Sequence, residues 1–105
     1  MTVQSELAFG LSSKTIQKIC TVFMSFPAVK SVVIYGSRSM GTFRNGSDID
    51  LVIMDSGIAF RDVLKIENAI DDLLLPYKID LSLFEHIQNQ DLIAHINEKG
   101  RVFYS

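Results

Sequence analysis

The chain has a single cysteine, Cys20, so no disulfide can close within it, and a lone thiol fits a reducing compartment. It lacks any apolar run approaching the about 20 residues that cross a bilayer, and no cationic segment followed by a long apolar stretch opens it. A soluble, cytoplasmic protein is therefore expected, with no membrane contact. It also lacks an excess of positive charge. Ten Lys and Arg stand against twelve Asp and Glu, for a formal charge of -2, which argues against an extended nucleic-acid surface. Repeats, low-complexity tracts and linkers are missing too. What is present is ordinary globular composition, 48% hydrophobic and 21% charged over 105 residues, enough to bury one core. One domain, residues 1–105, is the expectation.

Residues 1–11 show no clear period. From Ser12 or Ser13, both suitable N-caps, Ile16, Ile19, Cys20, Phe23 and Phe26 recur at helical spacing until Pro27. Ser31 to Tyr35 is β-branched and aromatic, which predicts a buried strand ending at Gly36. Ser37 to Ser47 is polar and reads as a loop with a helical turn at its start; Asp48 to Met54 follows as a second strand. Phe60, Val63, Leu64, Ile70, Leu73 and Leu74 mark the stripe of a second helix that stops by Pro76. Lys78 to Phe84 alternates as a third strand. A third helix should start near Asn89 and run through Leu92, Ile93 and Ile96 to Gly100, and Val102 to Tyr104 is a candidate last strand. This order predicts an α/β or α+β domain, a small mixed sheet with helices packed on it. The second and third strands are joined through a helix, so they should be parallel neighbours, with Asp48, Asp50 and Asp80 at one end of the sheet.

Those three carboxylates carry the chemistry. Residues two apart in a strand share a face, so Asp48 and Asp50 should sit a few ångströms apart and repel each other at the edge of an apolar strand. A hard divalent cation relieves the repulsion. Magnesium takes carboxylates, waters and substrate phosphate oxygens, and with Asp80 the set could hold two ions for an in-line phosphoryl displacement, one carboxylate doubling as base. Upstream, Gly36 lets backbone approach a ligand, Ser37 adds a hydroxyl donor, Arg38 offers a guanidinium to a triphosphate, and Ser47 stands beside the acidic pair as a supporting residue.

The run GSRSMGTFRNGSDID holds a Gly-Ser pair, ten intervening residues and Asp-x-Asp, and Asp80 follows thirty residues after Asp50. In that arrangement the sequence resembles the nucleotidyltransferases of the DNA polymerase beta superfamily, and in size and order it is similar to the minimal nucleotidyltransferases. The resemblance spans residues 13 to 100, the expected catalytic core. It implies a polymerase-beta-like fold in which Gly36 and Ser37 hold the triphosphate and Asp48, Asp50 and Asp80 bind magnesium, with ATP as substrate. Arg38 and Gly41 fall on the arginine and glycine that commonly follow the Gly-Ser pair. The helical region by which larger members such as kanamycin nucleotidyltransferase build an acceptor site has no counterpart here.

The resemblance therefore implies a partner: minimal nucleotidyltransferases are often encoded beside a helical HEPN protein, and in such pairs they act as antitoxins that transfer AMP to a tyrosine of the HEPN toxin. Two other readings stand beside this one. One is a non-catalytic module that binds nucleotide or covers a partner. The other is an adenylyltransferase for an aminoglycoside-like molecule whose pocket a homo-oligomer completes; an acidic groove would favour it, an electropositive apolar patch a protein acceptor. The remaining conspicuous residues read as structural. Cys20, Met24, Met40 and Met54 are expected to pack, Asp71 and Asp72 to face water, Arg44 to be a solvated loop residue, and Phe43 to be free for a base or a partner. His86 and His95 have no metal-spaced companion and are expected to lie at the surface or cap a helix, outside the site.

Overall fold

The computed structural model describes residues 7–105. Its first element is a hairpin of two short strands, β1 (Leu7–Ala8) and β2 (Leu11–Ser12), turned through Phe9 and Gly10 at φ 59° and 73°. Two successive positive φ values match the tight turn whose twist suits a hairpin. The sequence reading missed this element, since strands of two residues carry no period.

Helix α1 (Ser13–Met24) starts where Ser12 caps it, its hydroxyl accepting from the Thr15 N–H at 3.1 Å. Ile19, Val22 and Phe23 are buried, and Ile16, Cys20 and Phe26 pack partly buried against the same core, as the spacing predicts. Met24 is exposed instead of packed, because it sits on the far side of the last turn. The chain then forms β3 (Val32–Tyr35), the single turn of helix α2 (Ser37–Met40), β4 (Ile49–Ile53), helix α3 (Phe60–Asp71), β5 (Ile79–Leu83), a 3-10 turn at Phe84–His86, helix α4 (Gln90–Lys99) and β6 (Arg101–Tyr104). Asn89 caps α4 through its side chain, which accepts from Leu92 N–H at 3.0 Å.

The four-stranded sheet has the order β5-β4-β3-β6. β4 and β5 are parallel neighbours joined through α3, as expected; β3 is antiparallel to both β4 and β6. Alternation along the strands divides the residues cleanly. Val32 and Ile34, Ile49, Leu51 and Ile53, and Leu81 and Leu83 point to one face and form the main core with α1 and α3. Tyr35, Val52 and Ile96 form a second, smaller cluster on the other face, joined by Val33, Met54, Phe84 and Leu92. Helix α4 covers that second face.

On α3 the buried residues are Val63, Ile66 and Ile70, not the full stripe expected. Phe60, Leu64 and Leu74 are exposed, and Ile66 takes the central place. The helix ends before Leu74, whose φ of 54° turns the chain outward. Truncating the fully buried Ile66 to Ala should cost about 2–5 kcal/mol, because the cavity would lie between the helix and the centre of the sheet. Among the described residues, no helix is long and apolar enough to cross a membrane.

Candidate active site

Strand register assembles the site. Asp50 and Asp80 are Cα partners across the parallel β4–β5 ladder, and Tyr35 is the partner of Asp50 across the antiparallel β3–β4 ladder. Cross-strand partners share a face, so all three side chains rise on the α4 side of the sheet. Asp48, expected as the first residue of this strand, lies just before β4. Asp48 and Asp80 are exposed and Asp50 is half-buried.

Asp50 bears the electrostatic load. Burial raises its carboxyl above the usual value of 3.8, and the charges of Asp80 and then Asp48 raise it further, while His95 acts in the opposite direction. Tyr35 is raised too, first by its own burial; its hydrogen bond with the Ser82 side chain opposes this, and the charges of Asp50 and Asp80 add to it. Burial is the larger cause in both groups, and the gathered carboxylate charge adds to it. Among the described residues no three acidic, histidine or cysteine side chains are gathered closely enough to hold a metal ion. The donor set nevertheless fits magnesium: it is all carboxylate oxygen, open to water on two of its three members, and its mutual repulsion is what a divalent cation offsets.

Gly36 closes the site from the β3 side. Its φ of 78° and ψ of -153° lie in a region essentially reserved for glycine. A Cβ built there would stand 2.6 Å from Asp50 Oδ2, so the missing side chain is the space that the carboxylate uses. Its carbonyl accepts from Ser39 Oγ at 3.0 Å and from the Met40 N–H at 3.3 Å. Its N–H donates to His95 Nε2 at 2.9 Å. Histidine 95 was expected outside the site; it lies in it, on the face of α4 turned to the sheet, with its ring edge-on to Tyr35 at 6.2 Å. The signal that could have placed it is its position beside Ile96 and one turn after Leu92, on the side of α4 that packs on the strands. His86, in contrast, is exposed.

Arg38 is placed differently from a free phosphate ligand. It is 3% exposed. Its Nε and Nη2 both donate to the Ser47 carbonyl, at 3.2 and 2.8 Å, and Nη1 donates to the Phe9 carbonyl at 2.9 Å. The guanidinium lies between the rings of Phe43 and Tyr77, at 5.3 and 5.0 Å from their centroids. So Arg38 clamps α2 to the residue preceding Asp48 and pins the β1–β2 hairpin over both. Ser47 supports the site through its backbone, while its hydroxyl accepts from the Arg44 N–H at 2.8 Å and closes the turn before the acidic pair. Ser37 is the first residue of α2, half-buried, directly after Gly36. Phe43, expected to be free, is committed to Arg38.

Beyond α2 lies a cleft of about 610 Å³, lined by residues that include Phe9, Arg38, Met40, Phe43 and Arg101. Among the described residues its lining carries the exposed Arg101, the buried Arg38 and no carboxylate.

Known structures share this architecture. A chain of a toxin–antitoxin complex crystallised with AMP-PNP superposes with a TM-score of 0.68 at 18% identity, over 86% of this chain and 73% of that one. A chain of the MntA–HepT toxin–antitoxin complex gives 0.64 at 14% identity, over 90% and 73%. A chain from the complex of a tri-AMPylated Shewanella oneidensis HEPN toxin with its MNT antitoxin gives 0.62 at 15% identity, over 88% and 71%. At such identities the likeness is one of fold. Among curated proteins none matches the chain in sequence at a significant level. Residues 17–105, which hold every carboxylate and backbone corner described above, match the polymerase beta nucleotidyltransferase family, and the chain belongs to that family.

Proposed function

We propose that the chain transfers a nucleoside monophosphate, AMP from ATP, to a hydroxyl, and that the acceptor is a tyrosine of a cytoplasmic HEPN-family toxin for which this chain is the antitoxin. The observation that carries the reading is the β4–β5 register, which sets Asp50 and Asp80 side by side with Asp48 two residues upstream and Gly36 beneath. Asp48, Asp50 and Asp80 are the residues that would hold magnesium. When bound, magnesium neutralises triphosphate charge and stabilises the attacking and leaving oxygens. Gly36 and Ser37 form the corner against which the triphosphate rests. The acceptor oxygen bonds to the α-phosphorus, the bond from that phosphorus to the bridging oxygen breaks, and pyrophosphate leaves with the electron pair. The hydroxyl proton passes to one of the carboxylates. Catalysis on this scheme is positioning plus charge neutralisation.

The cleft beyond α2 supports a protein acceptor over an aminoglycoside-like one. A polycationic small molecule needs acidic walls, whereas this cleft sets the exposed Arg101 and an exposed Met40, 47% accessible, beside the rings of Phe9 and Phe43. Such a surface is complementary to an acidic and apolar protein segment.

The test is incubation of the purified chain with magnesium and α-labelled ATP, with and without the protein encoded beside it. Label on the partner that disappears in Asp50→Asn supports the reading. Nucleotide binding with no label on any partner replaces it with a non-catalytic binding module.

A further inference from the structure

The Gly36 corner needs an external hold. Its backbone conformation lies outside both the helical and extended regions, and the β3 ladder to β4 ends one residue earlier, at the Tyr35–Asp50 pair. No strand partner therefore takes the Gly36 N–H. A half-buried amide left without an acceptor is destabilised, which favours rotation of the peptide. Rotation would move the carbonyl that Ser39 and Met40 use and would disturb the space occupied by the Asp50 carboxylate.

We infer that His95 is a positioning residue for nucleotide binding: from α4, its Nε2 holds the Gly36 N–H and thereby keeps the Gly36–Ser37 corner in the one shape that accommodates Asp50. In this bond the amide donates and Nε2 accepts. The His95 ring stands edge-on to Tyr35, with centroids 6.2 Å apart. A connected set, Tyr35 to His95 to Gly36, thus runs from β3 to α4 and back to the end of β3. Helix α4 is consequently part of the site and not only its cover.

This inference rests on the nucleotidyltransferase reading, and its test separates the two. Equilibrium affinity for a fluorescent ATP analogue with magnesium is measured for the wild type and for His95→Ala, His95→Asn and His95→Gln, together with thermal stability and, where transfer occurs, kcat and KM. The Gln amide reaches the place of Nε2 and can accept the same bond; the Asn amide reaches only the place of Nδ1. His95→Ala and His95→Asn should weaken nucleotide binding about 10–100-fold, the usual loss for a residue that orients a ligand-holding group. The loss should fall on KM with kcat changed much less, and His95→Gln should restore most of the affinity. Equal affinities in all four proteins, or equal loss in His95→Gln and His95→Asn, would overturn the inference. If His95→Ala fails to fold, the Gln and Asn pair decides alone. A wild type that binds the analogue but never transfers would refute the catalytic reading and leave the His95 comparison intact.

Discussion

Gly36 lies directly against the carboxylate of Asp50, so close that a methyl group at Gly36 would stand 2.6 Å from Oδ2. Two penalties therefore meet in Gly36→Ala. One is the positive φ of 78°, which a Cβ disfavours, and the other is the collision with the Asp50 carboxylate, which would have to turn away from its present place. Transfer activity and magnesium-nucleotide affinity should each fall more than about 100-fold, with a stability loss of about 1–3 kcal/mol by denaturant titration. A variant with wild-type nucleotide affinity would show that Asp50 does not depend on this space.

The substitution Asp50→Asn should separate stability from function. The folded state holds the Asp50 proton to a higher pH than the unfolded chain does, because burial and two neighbouring carboxylates oppose its charge. Stability from this group is thus fully present below the ordinary value of 3.8 and is lost as pH rises through the raised folded value. In chelator at neutral pH, Asp50→Asn should melt at a higher temperature than the wild type, by a few degrees at most given the group's partial exposure. Its melting temperature should also fall less between pH 4 and pH 7. Added magnesium should raise the melting temperature of the wild type more than that of the variant, and transfer by the variant should drop more than about 100-fold. A lower melting temperature for Asp50→Asn in chelator would mean that the carboxylate has a favourable partner in the folded state.

Arg38→Lys tests whether the guanidinium is a clamp or a phosphate ligand. A lysine cannot reproduce a fork that bonds the Ser47 carbonyl twice and the Phe9 carbonyl once between two rings. As a clamp, its loss should lower stability by about 1–3 kcal/mol and free the segment before Asp48, which limited proteolysis would detect as new cleavage between residues 41 and 47. A weaker affinity for ATP with unchanged stability would return Arg38 to the role that its position after Gly36-Ser37 first implies.

Much of the site was legible because it follows from two simple rules, alternation along a strand and the parallel outcome of a strand–helix–strand crossover. Those rules place Asp48, Asp50 and Asp80 at one sheet end without any contact information. Where the Arg38 guanidinium goes was not legible, for the opposite reason. Nothing local to an arginine beside a Gly-Ser pair says where its guanidinium goes, and the carbonyls that hold it lie nine and twenty-nine residues away. His95 presents the same difficulty, since its partner Gly36 is fifty-nine residues distant. On α3, Leu64 and Ile66 are equally apolar, and only the angle at which the helix meets the sheet decides that Ile66 is buried and Leu64 exposed. The β1–β2 hairpin was invisible because its strands are too short for a period and it is anchored by Arg38, far along the chain.

Arg101 offers a test of how a protein acceptor approaches. It is exposed at the start of β6, on the rim of the cleft that Arg38 and Phe43 also line, and among the described residues no carboxylate stands in that lining. Rim charges act mainly on the rate of encounter and on its salt dependence. Arg101→Glu should leave the melting temperature and nucleotide affinity unchanged, because the side chain is exposed and lines a cleft that none of the three carboxylates lines. Association with the neighbouring helical protein should slow by roughly tenfold at low ionic strength, and the difference from the wild type should shrink as salt screens the charge. Stopped-flow or surface-based kinetics at two salt concentrations would measure this. An unchanged association rate at both would move the acceptor's approach to the exposed β5 edge of the sheet, beside Asp80, and leave the arginine cleft without a part in it.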